Sequence, residues 1–148
     1  VLVVAALAAP AMTPAPAPTR QAGADAADWQ RFDRAAIAGH VAAGRTVFVD
    51  VTADWCLTCK ANKTLVLDRA PVSGALSVDG VVAMRADWTR ANEGISRYLA
   101  GFDRYGIPFN AVYGPGAPEG IALPEILNAK VVLDALDRAA RRDVAQGE

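Results

Sequence analysis

Short apolar runs and longer amphipathic stretches follow one another along the chain and predict an alternating series of strands and helices. Apolar positions spaced three and four residues apart predict helices, whereas short, continuous apolar runs bounded by turn residues predict buried strands. The predicted order is helix 28–44 with Asp28 as its N-cap, strand 46–52, helix 57–69, strand 81–86, helix 92–102, strand 109–113, strand 121–123 after a turn at 114–120, and helix 129–141. This order predicts an α/β fold with a central mixed β-sheet flanked by helices on both faces.

The first 27 residues differ in composition from the rest of the chain. Residues 1–9 form an apolar run that is too short to span a bilayer, so we interpret it as the end of a transmembrane helix or a signal-peptide remnant, or else as a leader of no consequence. Residues 10–27 contain four prolines among Ala, Thr and Gly, which favours an extended linker. The folded domain is predicted to occupy residues 28–148, and the first two interpretations place it outside the cytoplasm.

Charge and cysteine usage narrow the possible functions. The 148-residue chain has a net charge of −1, with acidic and basic residues interleaved, so it has no basic stripe for binding nucleic acid. The two cysteines are Cys56 and Cys59, and His40 is the sole histidine, so a closed four-ligand zinc site is disfavoured. A disulfide across two intervening residues constrains the unfolded chain very little, which indicates that the pair does not serve stability.

The spacing and position of the cysteines indicate redox chemistry. Cys56 follows a predicted strand and begins a predicted helix, where free amide groups and the helix dipole favour a thiolate. The thiolate is the nucleophile in disulfide exchange, so Cys56 is predicted to attack a partner disulfide and the deeper Cys59 to resolve the mixed disulfide. The alternative is a pair of incidental thiols or half of a metal site.

Three further residues are candidates for the same site. Asp50 lies on the face of strand 46–52 that is predicted to be buried, so its pKa is expected to be raised and it could exchange a proton with Cys59. It could instead be a solvated acid at the strand end. Trp55 could shield the disulfide or contact a partner, with ordinary packing as the alternative. Pro108 precedes a strand, and statistics alone favour a trans bond after Ile107.

Several motifs, in order over about residues 29–140, together resemble the C-terminal thioredoxin-like domain of the DsbD thiol:disulfide interchange proteins, especially their ScsB-type relatives. They are Val49-Asp50, Ala53-Asp54-Trp55-Cys56-Leu57-Thr58-Cys59-Lys60, Ala86-Asp87-Trp88-Thr89, Gly106-Ile107-Pro108 and Leu123-Pro124-Glu125. The resemblance implies a thioredoxin-like fold at the periplasmic face of the inner membrane. It also implies that a membrane-embedded domain passes reducing equivalents to the cysteine pair, and that the pair passes them to a periplasmic partner or a sibling N-terminal domain.

The resemblance adds expectations about individual residues. It implies that Pro108 is cis and faces the Cys56 sulfur, with the backbone of Ile107 turned toward a docking peptide. No cofactor or metal is expected beyond the redox-active disulfide, and the isolated domain is expected to be a monomer. One departure concerns Lys63, since many relatives have Glu seven residues after the first cysteine. Seven residues are nearly two helical turns, so a cation there should favour the Cys56 thiolate.

Other functions are compatible with parts of the pattern. An oxidase or isomerase would use the same cysteines with a less stable disulfide. A copper-binding module could hold Cu(I) between two thiolates, although no Met or His cluster accompanies them. A redox-inert interaction domain would not react with small disulfides.

Overall fold

The computed structural model describes residues 27–142, which form a five-stranded sheet and five α-helices. The elements are β1 (Gln30–Arg31), α1 (Arg34–Ala42), β2 (Thr46–Thr52), α2 (Leu57–Asn62), a π-helical segment (Lys63–Leu67), α3 (Val72–Ser77), β3 (Val81–Asp87), α4 (Glu93–Ala100), β4 (Phe109–Gly114), β5 (Ala117–Ala122) and α5 (Ala129–Ala140). The interpretations of residues 1–9 and of the linker up to residue 26 lie outside the described residues. No helix in the described stretch is long and apolar enough to cross a membrane.

The strands are arranged in the order β1-β3-β2-β4-β5. Strands β1, β3 and β2 run parallel, whereas β4 is antiparallel to β2 and β5 is antiparallel to β4. Because β2 is the central strand and is covered on both sides, its side chains from residue 46 to 51 are all buried. The predicted mixed sheet is therefore confirmed.

Each face of the sheet packs against its own set of helices. Val47, Val49 and Val51 point to the face covered by α1 and α4, where they meet Tyr98 and Leu99. The opposite face is covered by the π-helical segment, α3 and α5, and its core contains Phe48, Leu67, Val72, Leu76, Val112, Val132 and Leu136. This alternation along β2 follows from the two-residue period of a strand, and it confirms helices on both faces.

The chain between residues 28 and 34 differs from the prediction. Residues 30 and 31 form an edge strand that pairs with β3, and α1 begins only at Arg34, with Asp33 rather than Asp28 as its N-cap. The Asp33 carboxylate accepts hydrogen bonds from the amides of Ala35 and Ala36 at 3.0 and 3.3 Å. Pairing with β3 satisfies backbone groups that an early helical turn would have left open, so the N-cap lies five residues later than predicted.

Three other segments also depart from the prediction. Helix α3, Val72–Ser77, was not predicted. The helix expected over 57–69 changes to π-helical hydrogen bonding at Lys63, where the amide of Asp68 bonds the Lys63 carbonyl at 2.9 Å. The last strand begins at Ala117 rather than residue 121, despite Pro118. Because β5 is an edge strand, a proline without an N–H group is tolerated there.

Candidate active site

Cys56 and Cys59 form a disulfide at the start of α2. Cys56 is the N-cap residue, and its sulfur accepts a hydrogen bond from the Cys59 amide at 3.2 Å. The side chains lie against Ala53 and Ile107, and the two cysteines are 6% and 4% exposed. The disulfide is therefore largely covered, with Cys56 only slightly more accessible than Cys59.

Large apolar side chains surround this covered disulfide at the surface. Trp55 is 60% exposed and Leu57 is 79% exposed, on either side of Cys56. Trp55 also lines a cleft of about 500 Å³ together with Ile107 and the 80%-exposed Tyr105. The Ile107–Pro108 peptide bond is cis, as the resemblance implies, and Pro108 is buried. The cleft thus offers an apolar surface next to the disulfide, because Ile107 lines the cleft and packs against both cysteines.

Asp50 lies at the centre of a row of polar side chains that crosses three strands. Its neighbours in strand register are Arg85 on β3 and Asn110 on β4. Arg85 Nε donates to Asp50 Oδ2 at 2.9 Å, and Asn110 Nδ2 donates to Asp50 Oδ1 at 3.0 Å. The Arg85 guanidinium also stacks over the Trp29 ring, 3.8 Å from its centroid. Asp50 is therefore a fully partnered carboxylate inside the sheet.

Burial and charge act on Asp50 in opposite directions. Desolvation raises the pKa of Asp50, and this effect exceeds the lowering caused by Arg85, by the hydrogen bond from Asn110 and by the charge of Lys63. The predicted burial of Asp50 and its raised pKa are both confirmed. The influence of Lys63 also places the helical segment that follows Cys59 within electrostatic range of this carboxylate.

The loop after β3 holds the segment before the cysteines in place. Thr89 accepts a hydrogen bond from the Asp54 amide at 2.9 Å through its hydroxyl, and its carbonyl accepts one from Trp55 Nε1 at 3.2 Å. Hydrogen bonds from the Thr89 hydroxyl and amide lower the pKa of Asp87. Trp55 is thereby fixed at the rim of the cleft despite its exposure.

Lys63 begins the π-helical segment, seven residues after Cys56. Its ammonium group forms an ion pair with Asp68, and both side chains are partly exposed. The sequence predicted a cation on this side of the helix, but it did not predict that a carboxylate would partly neutralise it. The favourable effect of Lys63 on a Cys56 thiolate remains a prediction, weakened by Asp68.

Comparison with known proteins places this arrangement in a family. A family model described as thioredoxin-like matches residues 28–115, which include Asp50, both cysteines and Pro108. The chain belongs to the thioredoxin-like family. With a Cys-x-x-Cys disulfide at the start of a helix on this fold, it is a thioredoxin-like disulfide oxidoreductase domain, as the sequence predicted.

Individual relatives agree with this assignment. The chain is 30% identical over 122 residues to thiol:disulfide interchange protein DsbD 1 of Pseudomonas aeruginosa, covering 78% of this chain and 20% of that protein. It therefore spans about a fifth of the length of this curated relative. The reduced C-terminal domain of Neisseria meningitidis DsbD superimposes with a TM-score of 0.56 at 20% identity, over 72% of this chain and 92% of that one. A Thermus thermophilus thioredoxin superimposes with a TM-score of 0.51 at 20% identity, over 78% and 85%.

The structure adds residues to the site of this thioredoxin-like domain that sequence reasoning missed. Arg85 and Asn110 partner Asp50, and Thr89 fixes Trp55. No spacing rule indicates Arg85 or Asn110, because they meet Asp50 only through pairing with β3 and β4, at separations of 35 and 60 residues. Thr89 lies in the Ala86-Asp87-Trp88-Thr89 motif, but nothing in the sequence pattern connects this motif with Trp55.

Proposed function

We propose that this domain is a protein-disulfide reductase. It would take reducing equivalents from a membrane-embedded domain and pass them to disulfides of a periplasmic partner or a sibling N-terminal domain. The observation that best supports the proposal is the Cys56–Cys59 disulfide at the start of α2, beside an exposed apolar cleft. The relationship to DsbD supports the direction of transfer and a location at the periplasmic face of the inner membrane. No cofactor is required, since the cysteine pair holds the two electrons.

Reduction of the domain begins at the more accessible sulfur. A thiolate of the donor attacks Cys56, the Cys56–Cys59 bond breaks, and Cys59 leaves as a thiolate. The second donor thiol then attacks the mixed disulfide and releases Cys56, so that the donor is oxidised and this domain holds two reduced cysteines. The amide of Cys59, which already bonds the Cys56 sulfur, and the start of α2 stabilise the Cys56 thiolate.

Reduction of the partner reverses these steps. The Cys56 thiolate attacks a partner disulfide, one partner sulfur leaves, and Cys59 then attacks Cys56 to release the second partner thiol. Cys59 must lose a proton to do so, and Asp50 is proposed to take it. Burial raises the pKa of Asp50, which makes its carboxylate a stronger base than an exposed one, and this suits a group that takes a proton from a thiol.

The cleft is proposed to hold the polypeptide around the partner disulfide. Ile107 lines the cleft with Trp55 and also packs against the two cysteines, so a segment bound in the cleft would lie close to Cys56. Burial of an exposed aromatic ring is a frequent source of affinity at protein interfaces. Lys63 is proposed to favour the thiolate from the helix side.

Trapping of the mixed disulfide tests this proposal. In a Cys59→Ser variant, Cys56 can attack a partner disulfide but nothing within the domain can resolve the product. We expect thiol-sensitive adducts between Cys56 and a periplasmic or sibling domain, identified by mass spectrometry after non-reducing electrophoresis. The matched control is Cys56→Ser, in which the remaining Cys59 lacks the N-cap position that favours a thiolate and should trap far less.

The direction of transfer needs a separate measurement. The redox equilibrium of the wild-type pair with glutathione gives its reduction potential, and a reductase should be poised well below the glutathione couple. A strongly oxidising potential would instead support an oxidase or isomerase. The absence of any adduct on Cys56 would contradict disulfide exchange altogether.

A further inference from the structure

A second groove lies next to the active-site cleft and has a different chemical character. It has a volume of about 1250 Å³ and lies between the N-terminal ends of α1 and α4 and the loop after β3. Its charged lining residues are Arg31, Arg34, Arg85, Arg90, Arg97, Asp33, Asp54 and Asp87. The groove therefore gathers five arginines on a chain whose net charge is −1.

Most of the carboxylates in this groove are already engaged, whereas most of the arginines are not. Asp33 caps α1, Asp87 accepts a hydrogen bond from the Thr89 amide, and Arg85 is paired with Asp50. Within residues 27–142, the other four arginines of the groove have no carboxylate within 4.0 Å. These four are Arg31, Arg34, Arg90 and Arg97, and all are exposed.

The ends of two helices add to the positive potential. Asp33 and Arg34 at the start of α1 line the groove, as do Asn92 and Gly94 at the start of α4. Each helix N-terminus contributes a partial positive charge. Free arginines and helix ends therefore act in the same direction. They are opposed by the three carboxylates of the lining, Asp33, Asp54 and Asp87, which the four free arginines outnumber by one.

The groove is continuous with the active-site cleft. Thr89 and Ala91 line both of them, and Asp54, two residues before Cys56, lines the groove. A polypeptide with a disulfide opposite Cys56 could therefore extend along the cleft and reach the arginines. Guanidinium groups bind carboxylates through paired hydrogen bonds, so side chains of Asp and Glu are the matching chemistry for such a segment.

We infer that the arginine-lined groove binds an acidic segment of the protein with which Cys56 exchanges disulfides. This inference rests on the proposed function, and it specifies the partner as one that has Asp or Glu residues beside its reactive cysteines. Charges at the rim of an interface mainly accelerate association and make it sensitive to salt. The groove therefore favours acidic partners through the rate of encounter, while the apolar cleft positions the disulfide.

Peptide substrates test the inference with the full chain. Three synthetic peptides share one disulfide loop and differ only in a flanking segment of aspartates, serines or lysines. The rate at which the pre-reduced protein reduces each peptide is measured at low and at high salt. We expect the aspartate peptide to be reduced about tenfold faster than the serine peptide at low salt, with most of this preference lost at high salt.

Two triple variants test whether the arginines of the groove cause the preference for the aspartate peptide. The first variant carries Arg31→Gln, Arg34→Gln and Arg90→Gln and so lacks these free charges of the groove. Its rate with the aspartate peptide, divided by its rate with the serine peptide, should fall toward one. The matched control replaces three exposed arginines that do not line the groove, at positions 45, 69 and 138, and should keep the wild-type ratio. Comparing ratios within each variant removes any effect on folding or on the cysteines.

The outcomes separate the two proposals. Equal rates for the three peptides, or an aspartate preference that persists in the groove variant, overturn the inference and leave the reductase function standing. If the reduced wild-type protein reduces none of the peptides, the proposed function fails and the inference fails with it.

Discussion

Replacement of Arg85 by Met tests how much the free energy of unfolding depends on the counter-ion of the buried Asp50 carboxylate. Arg85 Nε lies 2.9 Å from Asp50 Oδ2, and the Asp50 side chain is only 8% exposed. Two unit charges about 4 Å apart interact by about 4 kcal/mol at an effective dielectric constant of about 20. Because the Arg85 side chain is 24% exposed, water screens part of this interaction. We therefore expect Arg85→Met to lower the free energy of unfolding by about 3 kcal/mol at alkaline pH.

The pH dependence of this loss has a definite sign. The pKa of Asp50 is already raised by burial, and it rises further when Arg85 is absent. A carboxyl group whose pKa is raised on folding binds its proton more tightly in the folded state. The stability that it contributes is therefore complete below its pKa in the unfolded chain, about 3.9. This stability is lost as the pH rises through its pKa in the folded protein. The difference between variant and wild type should be smallest at acid pH, because a protonated Asp50 needs no counter-ion, and it should increase with pH.

Urea unfolding of the oxidised protein, followed by circular dichroism, measures this difference at several pH values. Arg104→Met is the matched control, because the Arg104–Glu125 pair is exposed and 3.5 Å apart, and it should cost no more than about 0.5 kcal/mol at any pH. Adding Asp50→Asn to Arg85→Met should recover most of the loss and abolish its pH dependence. A loss that is the same at acid and alkaline pH, or one that the second substitution leaves unchanged, would refute the electrostatic argument.

The remaining predictions concern the helix after Cys59 and two glycines. Lys63→Glu should raise the pKa of the Cys56 thiol, measured by thiolate absorbance of the reduced protein, and an unchanged midpoint would contradict a role for Lys63. Gly116→Ala should destabilise the protein by about 2 kcal/mol, because the new Cβ would lie 2.0 Å from a backbone oxygen just after α5. Gly39→Ala, in α1 with nothing within 4 Å, should instead stabilise by up to about 1 kcal/mol, and equal unfolding midpoints for the two variants would contradict the packing argument.

Local patterns predicted those parts of the site that depend on neighbours in sequence. The position of Cys56 at the start of a helix follows from the strand before it and the uninterrupted helical stretch after it. The burial of Asp50 follows from alternation along β2. Both features are decided within about ten residues, so one sequence suffices to predict them.

The remaining features of the fold and the site depend on pairing between strands that are far apart in the sequence. The start of α1 was misplaced because Asp28 and Asp33 both have the chemistry of an N-cap, and pairing of β1 with β3 decides between them. Arg85 faces Asp50 because β2 and β3 are paired in one register and no other. A shift of one residue would have turned Arg85 to the opposite face, and Asp50 would have lost its counter-ion.

The two cations near the site act in the same direction on Asp50, and one of them also acts on the redox pair. Arg85 and Lys63 both lower the pKa of Asp50 against the effect of burial, and a cation on the helix side also favours a Cys56 thiolate. Stabilising a thiolate stabilises the reduced form relative to the disulfide, so Lys63 should make the pair easier to reduce. Asp68 limits the contribution of Lys63 by pairing with it. The Lys63→Glu variant should therefore show a more negative reduction potential together with its raised thiol pKa, since one electrostatic cause governs both quantities.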